Sequence, residues 1–354
     1  MISTEKNQES SKWSSRNWVE LAGSRIGFDA ELVRPRESET VNLARRFLSL
    51  LRHRTLALHV LEGELPSGQP LRLVVADDHR AVPFIEHLLG APQVTQSCLG
   101  RISALQAHKL DMDCDMVVAT ANRLLSRSFV RAGFHIVPVW VRLFIDLSIP
   151  PEELLRQLGG SVREDVRKVR SRGFTYEVTK DDRWLTRFYD SMYLPYAQSR
   201  YGSLAVVQPR ARIRRLFEQG CLLIVKRDDV PVVGLLMIPD GPTLRCPYMG
   251  AVEDDFGSAR HGGSAAFYWY GIQWAYSQGC KAINFGHSRA FLGDGVLRYK
   301  LKWGMRVVED DDAVYDFAIK VMPGSGAGGE FLSANPFFHL GDGRLQVYSP
   351  ETGG

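Results

Sequence analysis

The residues best suited to chemistry fall between Lys281 and Met305, in the stretch KAINFGHSRAFLGDGVLRYKLKWGM. His287 carries an imidazole whose ordinary pKa lets it exchange a proton near neutrality. Arg289, two residues on, carries a planar guanidinium suited to a phosphate or carboxylate, and Lys300 and Lys302 add further cations. The spacing predicts how they are held. Ala282, Ile283 and Phe285 read as a short buried strand that ends on Gly286, a polar tip follows, and a Gly-Asp-Gly turn at 293–295 opens a short helix. On that helix Val296, Tyr299 and Trp303 share one face and Arg298 and Lys302 another. Ligands in open α/β sheets lie beyond the carboxyl ends of strands, and this is such an end. A strand, a solvated loop and a surface helix would read the same way, so the neighbouring elements decide.

Just upstream, Arg260-His261-Gly262-Gly263-Ser264-Ala265 precedes a run apolar nearly all round that Gly279 closes. A glycine-rich turn at a helix amino end offers backbone N–H groups and the positive end of the dipole, which suits a pyrophosphate. It equally suits a plain turn with Ser264 as the N-cap. Before it, Cys221–Lys226, Val232–Ile238 and Thr243–Gly250 predict a three-stranded antiparallel meander. Pro247 cannot donate to a ladder, so a bulge is expected there, beside Tyr248 and Gly250, where an extended ligand could pair its amides. The loop at Ser199-Arg200-Tyr201-Gly202-Ser203 could line a substrate pocket or be a plain connection. SVREDVRKVRSRG at 161–173 predicts a helix with a narrow valine stripe and a basic face, either a phosphate-binding surface or a solvated one.

The whole chain, 354 residues at 45% hydrophobic and 24% charged, has the length and composition of two modest soluble domains. The expected organisation is a disordered tail at 1–16, an amino-terminal α/β domain at 17–140, a second domain at 141–322 and a Gly/Pro-rich carboxyl-terminal segment at 323–354, of which 323–329 reads as a flexible connection. In the amino half, strands are expected at 55–61, 71–75, 116–119 and 135–141, and helices at 40–53, 83–89, 102–110 and 122–132. A net charge of +4 permits an anionic ligand such as a nucleotide or RNA without requiring one. Five scattered cysteines with no C-x-x-C read as free thiols in a reducing compartment. The first residues lack the apolar core of a signal peptide, and no long window is free of charge, so a cytoplasmic protein without a membrane span is expected. Asp111, Asp113 and Asp115 lack the glycine and glutamate of a calcium loop, and the histidines lack paired ligand spacing, so no metal is expected.

The order of meander, glycine-rich turn, buried helix, strand and short helix resembles the GNAT N-acyltransferase fold, and Arg260-x-x-Gly263-x-Ala265 is similar to that superfamily's acyl-CoA pyrophosphate loop. LFIDLS at 143–148, SVREDVRKVRSRGF at 161–174, GIQWAYSQGCKAINFGHSR at 271–289, GVLRYKLKWGM at 295–305 and SANPFFHL at 333–340 resemble, in order, the FemAB-like branch that includes peptidoglycan-bridge aminoacyltransferases. The resemblance implies a mixed sheet flanked by helices, in two tandem α/β halves of which the amino-terminal one is degenerate. It implies transfer of an acyl group from acyl-CoA, held by Arg260, Gly262, Gly263, Ser264 and Ala265, to an amine that attacks the thioester directly. His287 and Tyr248 would face the reacting atoms. Tyr299 would be the acid, although it stands five residues before Gly304 where the family pattern has four. Arg289, Lys300, Lys302, Arg200 and Tyr201 would bind substrate, and Glu253 or Asp294 could supply a carboxylate base. Two alternatives stay open: transfer from aminoacyl-tRNA, with Arg210, Arg212, Arg214 and Arg215 tracking RNA, and a non-catalytic binding protein that keeps the fold.

Overall fold

The computed structural model describes residues 15–33, 38–77, 81–89, 95–201, 205–252 and 262–348. The helices are α1 (Ser15–Ser24), α2 (Glu39–Arg52), α3 (Ala81–Leu89), α4 (Ser126–Arg131), α5 (Pro151–Gln157), α6 (Gly160–Ser171), α7 (Asp182–Arg187), α8 (Leu194–Tyr201), α9 (Arg210–Glu218), α10 (Gly263–Ser277), α11 (Gly295–Lys302) and α12 (Gly326–Ala334). A π-helical turn, Phe188–Tyr193, joins α7 to α8. The strands are β1 (Thr55–Glu64), β2 (Pro70–Asp77), β3 (Thr95–Ser103), β4 (Met116–Asn122), β5 (His135–Pro138), β6 (Val141–Asp146), β7 (Phe174–Thr179), β8 (Cys221–Arg227), β9 (Val230–Asp240), β10 (Thr243–Ala251), β11 (Ala282–Ser288), β12 (Arg306–Glu309), β13 (Tyr315–Val321), β14 (Phe337–Gly341) and β15 (Arg344–Tyr348).

They form two mixed sheets flanked by helices, so the α/β expectation stands. One sheet has the order β3-β1-β2-β4-β13-β5 and the other β12-β6-β11-β10-β9-β8-β7, with β14-β15 a separate hairpin. Each sheet holds one parallel pair, β2 with β4 and β10 with β11. Chain order does not follow the sheets: β13, within the expected 141–322 unit, pairs with β4 and β5 of the first. The two sheets share one apolar core, seen in Phe84 of α3 packing 4.6 Å from Phe291 after β11 and 5.6 Å from Phe317 of β13.

Three local expectations are corrected. Residues 102–110 are not a helix but the end of β3 and a single 3₁₀ turn at Ala107–Lys109. TQSCLGRIS lacks the alternation that marks a strand, and pairing with β1 holds it extended. Residues 122–132 divide into a 3₁₀ turn and the short α4. The segment at 323–329 is not a flexible connection. Ser325 caps α12 by accepting from Gly328 N at 3.0 Å while donating to Asp115 Oδ1 at 2.7 Å. A Cβ on Gly328 would lie 2.8 Å from the Asp115 carbonyl oxygen, so glycine here serves close packing. Beyond α12, Phe337 and Phe338 are buried, and Phe338 N donates to Ala290 O at 2.7 Å. The carboxyl-terminal segment thereby braces the loop that follows His287.

Candidate active site

The parallel pairing of β10 with β11 runs only from Thr243↔Ala282 to Arg245↔Asn284. Past that point β10 shifts register against β9 between Arg245 and Tyr248, where Pro247 has no N–H to give. β11 shifts against β6 between Asn284 and His287. Gly286 sits there at φ 74°, its N–H bonded to Asn284 Oδ1 at 2.8 Å. The two strands splay, and a cavity of about 570 Å³ opens between them. Its walls include Tyr196 of α8, Tyr248 of β10, Tyr268 of α10 and Tyr299 of α11. A close approach shapes one side: a Cβ on Gly250 would lie 2.4 Å from Tyr193 N, so the π turn presses directly on β10. Tyr193 meets Tyr248 edge-on at 5.6 Å.

The start of α10 reaches the cavity through Gly262, Ser264 and Ala265. The cap is Gly262 at φ 80°, not Ser264, and among the described residues no side chain caps the helix. The left-handed cap explains the glycine, and the first N–H groups keep their capacity for a ligand acceptor.

His287 lies at the mouth of the splay, partly exposed, with Nε2 3.1 Å from Asp310 Oδ2. Asp310 is held in turn by the buried Arg142, whose Nε lies 3.8 Å from Oδ1. Arg142 also donates to Glu309 O at 3.0 Å and Asp311 Oδ2 at 3.0 Å. This carboxylate partner stands twenty-three residues beyond the histidine, and no motif announces it. It arrives because β12 pairs with β6, placing Val141 opposite Glu309, while β6 also pairs with β11, placing Arg142 opposite His287.

Lys300 departs from expectation. Expected to bind a donor or acceptor anion, it is buried, with Nζ donating to Phe285 O at 2.8 Å and His287 O at 2.9 Å. Burial disfavours the ammonium and pulls its pKa from 10.5 to about 7. The two carbonyl bonds survive in either protonation state, and the third position on Nζ alternates between a proton and a lone pair. Tyr299 lines the cavity, 5.7 Å from the Tyr268 ring and 6.4 Å from the Trp303 ring. Burial, reinforced by the Asp165 carboxylate, pushes its phenol well above the ordinary value, so it stays protonated.

Arg289 also lines the cavity, with its guanidinium 5.4 Å from the Phe84 ring, 5.9 Å from the Trp140 ring and 3.9 Å from Asp294 Oδ2. Asp294 is the N-cap of α11, accepting from Leu297 N at 2.8 Å, which commits its carboxylate to the helix. Lys302 is not among the cavity-lining residues. Arg260, His261 and Glu253 lie outside the described residues, as do the side chains of Arg200 and Tyr201. The thiol of Cys246, on the cavity wall, is pushed well up by burial, which removes it as a thiolate nucleophile at neutral pH.

The basic face of α6 is matched by acids: Arg167 forms a bidentate pair with Glu164 at 2.7 Å, and Arg170 pairs with Glu152 and lies over the Trp269 ring at 5.0 Å. On α9, Arg210 pairs with Asp190 and Arg214 lies 3.4 Å from Asp182. Among the described residues no group of three or more His, Cys, Asp or Glu side chains is placed to hold a metal, and no helix is long and apolar enough to cross a membrane.

No family model and no curated protein matches the sequence. Similar solved structures include FemX, at 11% identity and a TM-score of 0.41 over 88% of this chain and 96% of that one. They also include the C-terminal domain (DUF2156) of a putative lysylphosphatidylglycerol synthetase from Agrobacterium fabrum, at 14% identity and a TM-score of 0.37 over 91% and 96%. A GCN5-related N-acetyltransferase from Sphaerobacter thermophilus is similar at 14% identity and a TM-score of 0.31 over 73% and 79%. Likeness this distant carries no argument about activity, which rests on the cavity's own chemistry.

Proposed function

We propose that the chain is a cytoplasmic N-acyltransferase of the FemAB-like GNAT type, moving an acyl group from acyl-CoA to an amine by direct attack. The observation that supports it is the convergence on one cavity of His287, backed by Asp310, the Lys300 ammonium and the glycine-capped amino end of α10. Acyl-CoA, when bound, supplies the thioester carbonyl. The N–H groups that open α10 suit its pyrophosphate, since among the described residues no side chain caps them.

His287 takes a proton from the attacking amine while Asp310 orients the ring and stabilises the imidazolium. Lys300 delivers a proton to the departing sulfur, to which the breaking C–S bond leaves its electron pair. With a pKa near 7, it is a stronger acid than an ordinary thiol at about 8.5, so this transfer runs downhill. Tyr299 is displaced from the acid's role by the same comparison, and with Tyr248 and Tyr268 it walls the cavity against water. Arg289 holds an anionic group of the acceptor, and its aromatic neighbours keep the guanidinium in one orientation.

Thermal unfolding of the purified chain with coenzyme A, short and long acyl-CoAs, and bulk tRNA tests the donor, because a ligand of the native state raises the midpoint by mass action. A rise with acyl-CoA, together with thiol release on adding an amine, is the expected result. A rise with tRNA alone would transfer the site to aminoacyl-tRNA, and no rise with any of them would leave a binding module.

A further inference from the structure

The sequence of α2, ETVNLARRFLSLLR, is amphipathic at helical spacing: Leu43, Phe47, Leu48 and Leu51 fall on one arc and Asn42, Arg46 and Ser49 on the opposite one. A helix on a globular protein ordinarily turns its apolar arc inward. α2 is docked the other way round. Asn42 Nδ2 donates to Asp312 Oδ1 at 2.9 Å, Arg46 donates to the carbonyl oxygens of Asp311 at 2.7 Å and Ala313 at 3.1 Å, and Ser49 hydrogen-bonds the Tyr315 hydroxyl. Asn42 is buried, whereas Leu43 is 54% exposed, Phe47 55% and Leu48 52%. The polar arc holds the helix to the body, and the apolar arc faces away from it.

From this arrangement we propose that α2 is an interfacial helix that seats the protein on an anionic lipid surface. Arg45 and Arg52, both exposed, lie seven residues apart on one flank of the apolar arc. Exposed Arg54 follows the helix, and Leu105, 56% exposed, lies close by because Ala104 N donates to Arg54 O at 2.8 Å. An apolar face bordered by arginines places its side chains at the headgroup–acyl boundary and its cations among lipid phosphates. A second copy fits less well. An antiparallel two-fold pairing through this face sets the Arg45–Arg52 flank against its own copy, like charge on like. The chain's polar first residues, MISTEKNQESSKWS, have little apolar surface with which to cover it.

Sedimentation of the full chain with vesicles tests the assignment without reference to catalysis. The chain is expected to pellet with phosphatidylcholine vesicles containing about one-third phosphatidylglycerol, and far less with phosphatidylcholine alone, since each cation at such a surface contributes roughly a fivefold factor. Phe47→Gln with Leu48→Gln should abolish pelleting and leave the thermal midpoint unchanged, because neither side chain supports the fold. Arg45→Gln and Arg52→Gln should each weaken binding about fivefold and flatten its salt dependence. Failure to pellet with either vesicle, or pelleting unchanged by the Phe47 and Leu48 substitutions, overturns the proposal. A dimer seen by analytical ultracentrifugation that those substitutions dissociate, without vesicle binding, gives the face to a second copy and equally overturns it.

Discussion

The two sheets use the same device and finish it differently. In each, a parallel strand pair stands beside a helix whose amino end lies at the strands' carboxyl ends. In the first sheet β2 and β4 stay paired from Leu73↔Met116 to Ala76↔Ala119, and the start of α3 is closed from within. Asp77 accepts from Ala81 N at 2.8 Å and Val82 N at 3.1 Å, and from the Thr120 hydroxyl at 2.8 Å. In the second sheet β10 and β11 part after Arg245 and Asn284, and among the described residues no side chain caps α10. A helix amino end that carries its own carboxylate is finished structure. One that lacks it offers donors and a positive dipole to whatever anion enters. On this reading the first sheet supports the fold and the second carries the proposed site.

Several substitutions break or sharpen that contrast. The largest effect is expected at the base: His287→Ala should lower kcat by about 10²–10⁴-fold, with Asp310→Asn falling in between, whereas Asp77→Asn should leave initial rates with donor and amine intact. Asp77→Ala should instead lower stability by about 2–3 kcal/mol in urea unfolding, since buried donors lose their acceptor.

The pH dependence comes next. In the proposed reaction Lys300 acts as an acid while protonated, so kcat should fall by about tenfold per pH unit above its pKa of about 7. Lys300→Arg, which does not titrate, should flatten that limb. The same burial makes stability rise with pH between about 7 and 10.5, because the unfolded chain still holds the proton that the folded chain has shed. Lys300→Met should abolish that rise in Tm.

Copying the first sheet's solution into the second should have a smaller effect. Ser264→Asp places a carboxylate at the open end of α10 and should weaken acyl-CoA binding about tenfold by calorimetry while leaving Tm equal or higher. The smallest change is expected on the paired basic face, where Arg167→Ala should leave Tm essentially unchanged, because an exposed pair contributes little.

Much of the second sheet's site was legible residue by residue. Pro247 announced the break in β10, Gly286 the end of the regular strand, and the Gly262-Gly263 pair the turn into α10. Each is a local rule of backbone geometry that needs no knowledge of the rest of the chain. The same locality explains the errors. Gly326, Gly328 and Gly329 suggested flexibility, yet Gly328 is glycine because another segment's carbonyl lies against it. The cap on α3 was invisible because an aspartate four residues before a helix has many other uses. Lys300 read only as a cation for an anion, and its burial was invisible because lysine is rarely buried.

The chain's local code thus settled periodicity and punctuation: which stretches coil, which extend, where each stops, and that α2 has one apolar side. Packing across long separations settled direction. It set Asp310 against His287 through the shared neighbour β6, drew Lys300 inward onto two carbonyls, parted β10 from β11, and turned the apolar side of α2 away from the body. The physical reason is one of range. Backbone sterics and side-chain period act over a few residues, whereas burial, pairing register and pKa depend on neighbours that only the completed fold brings together.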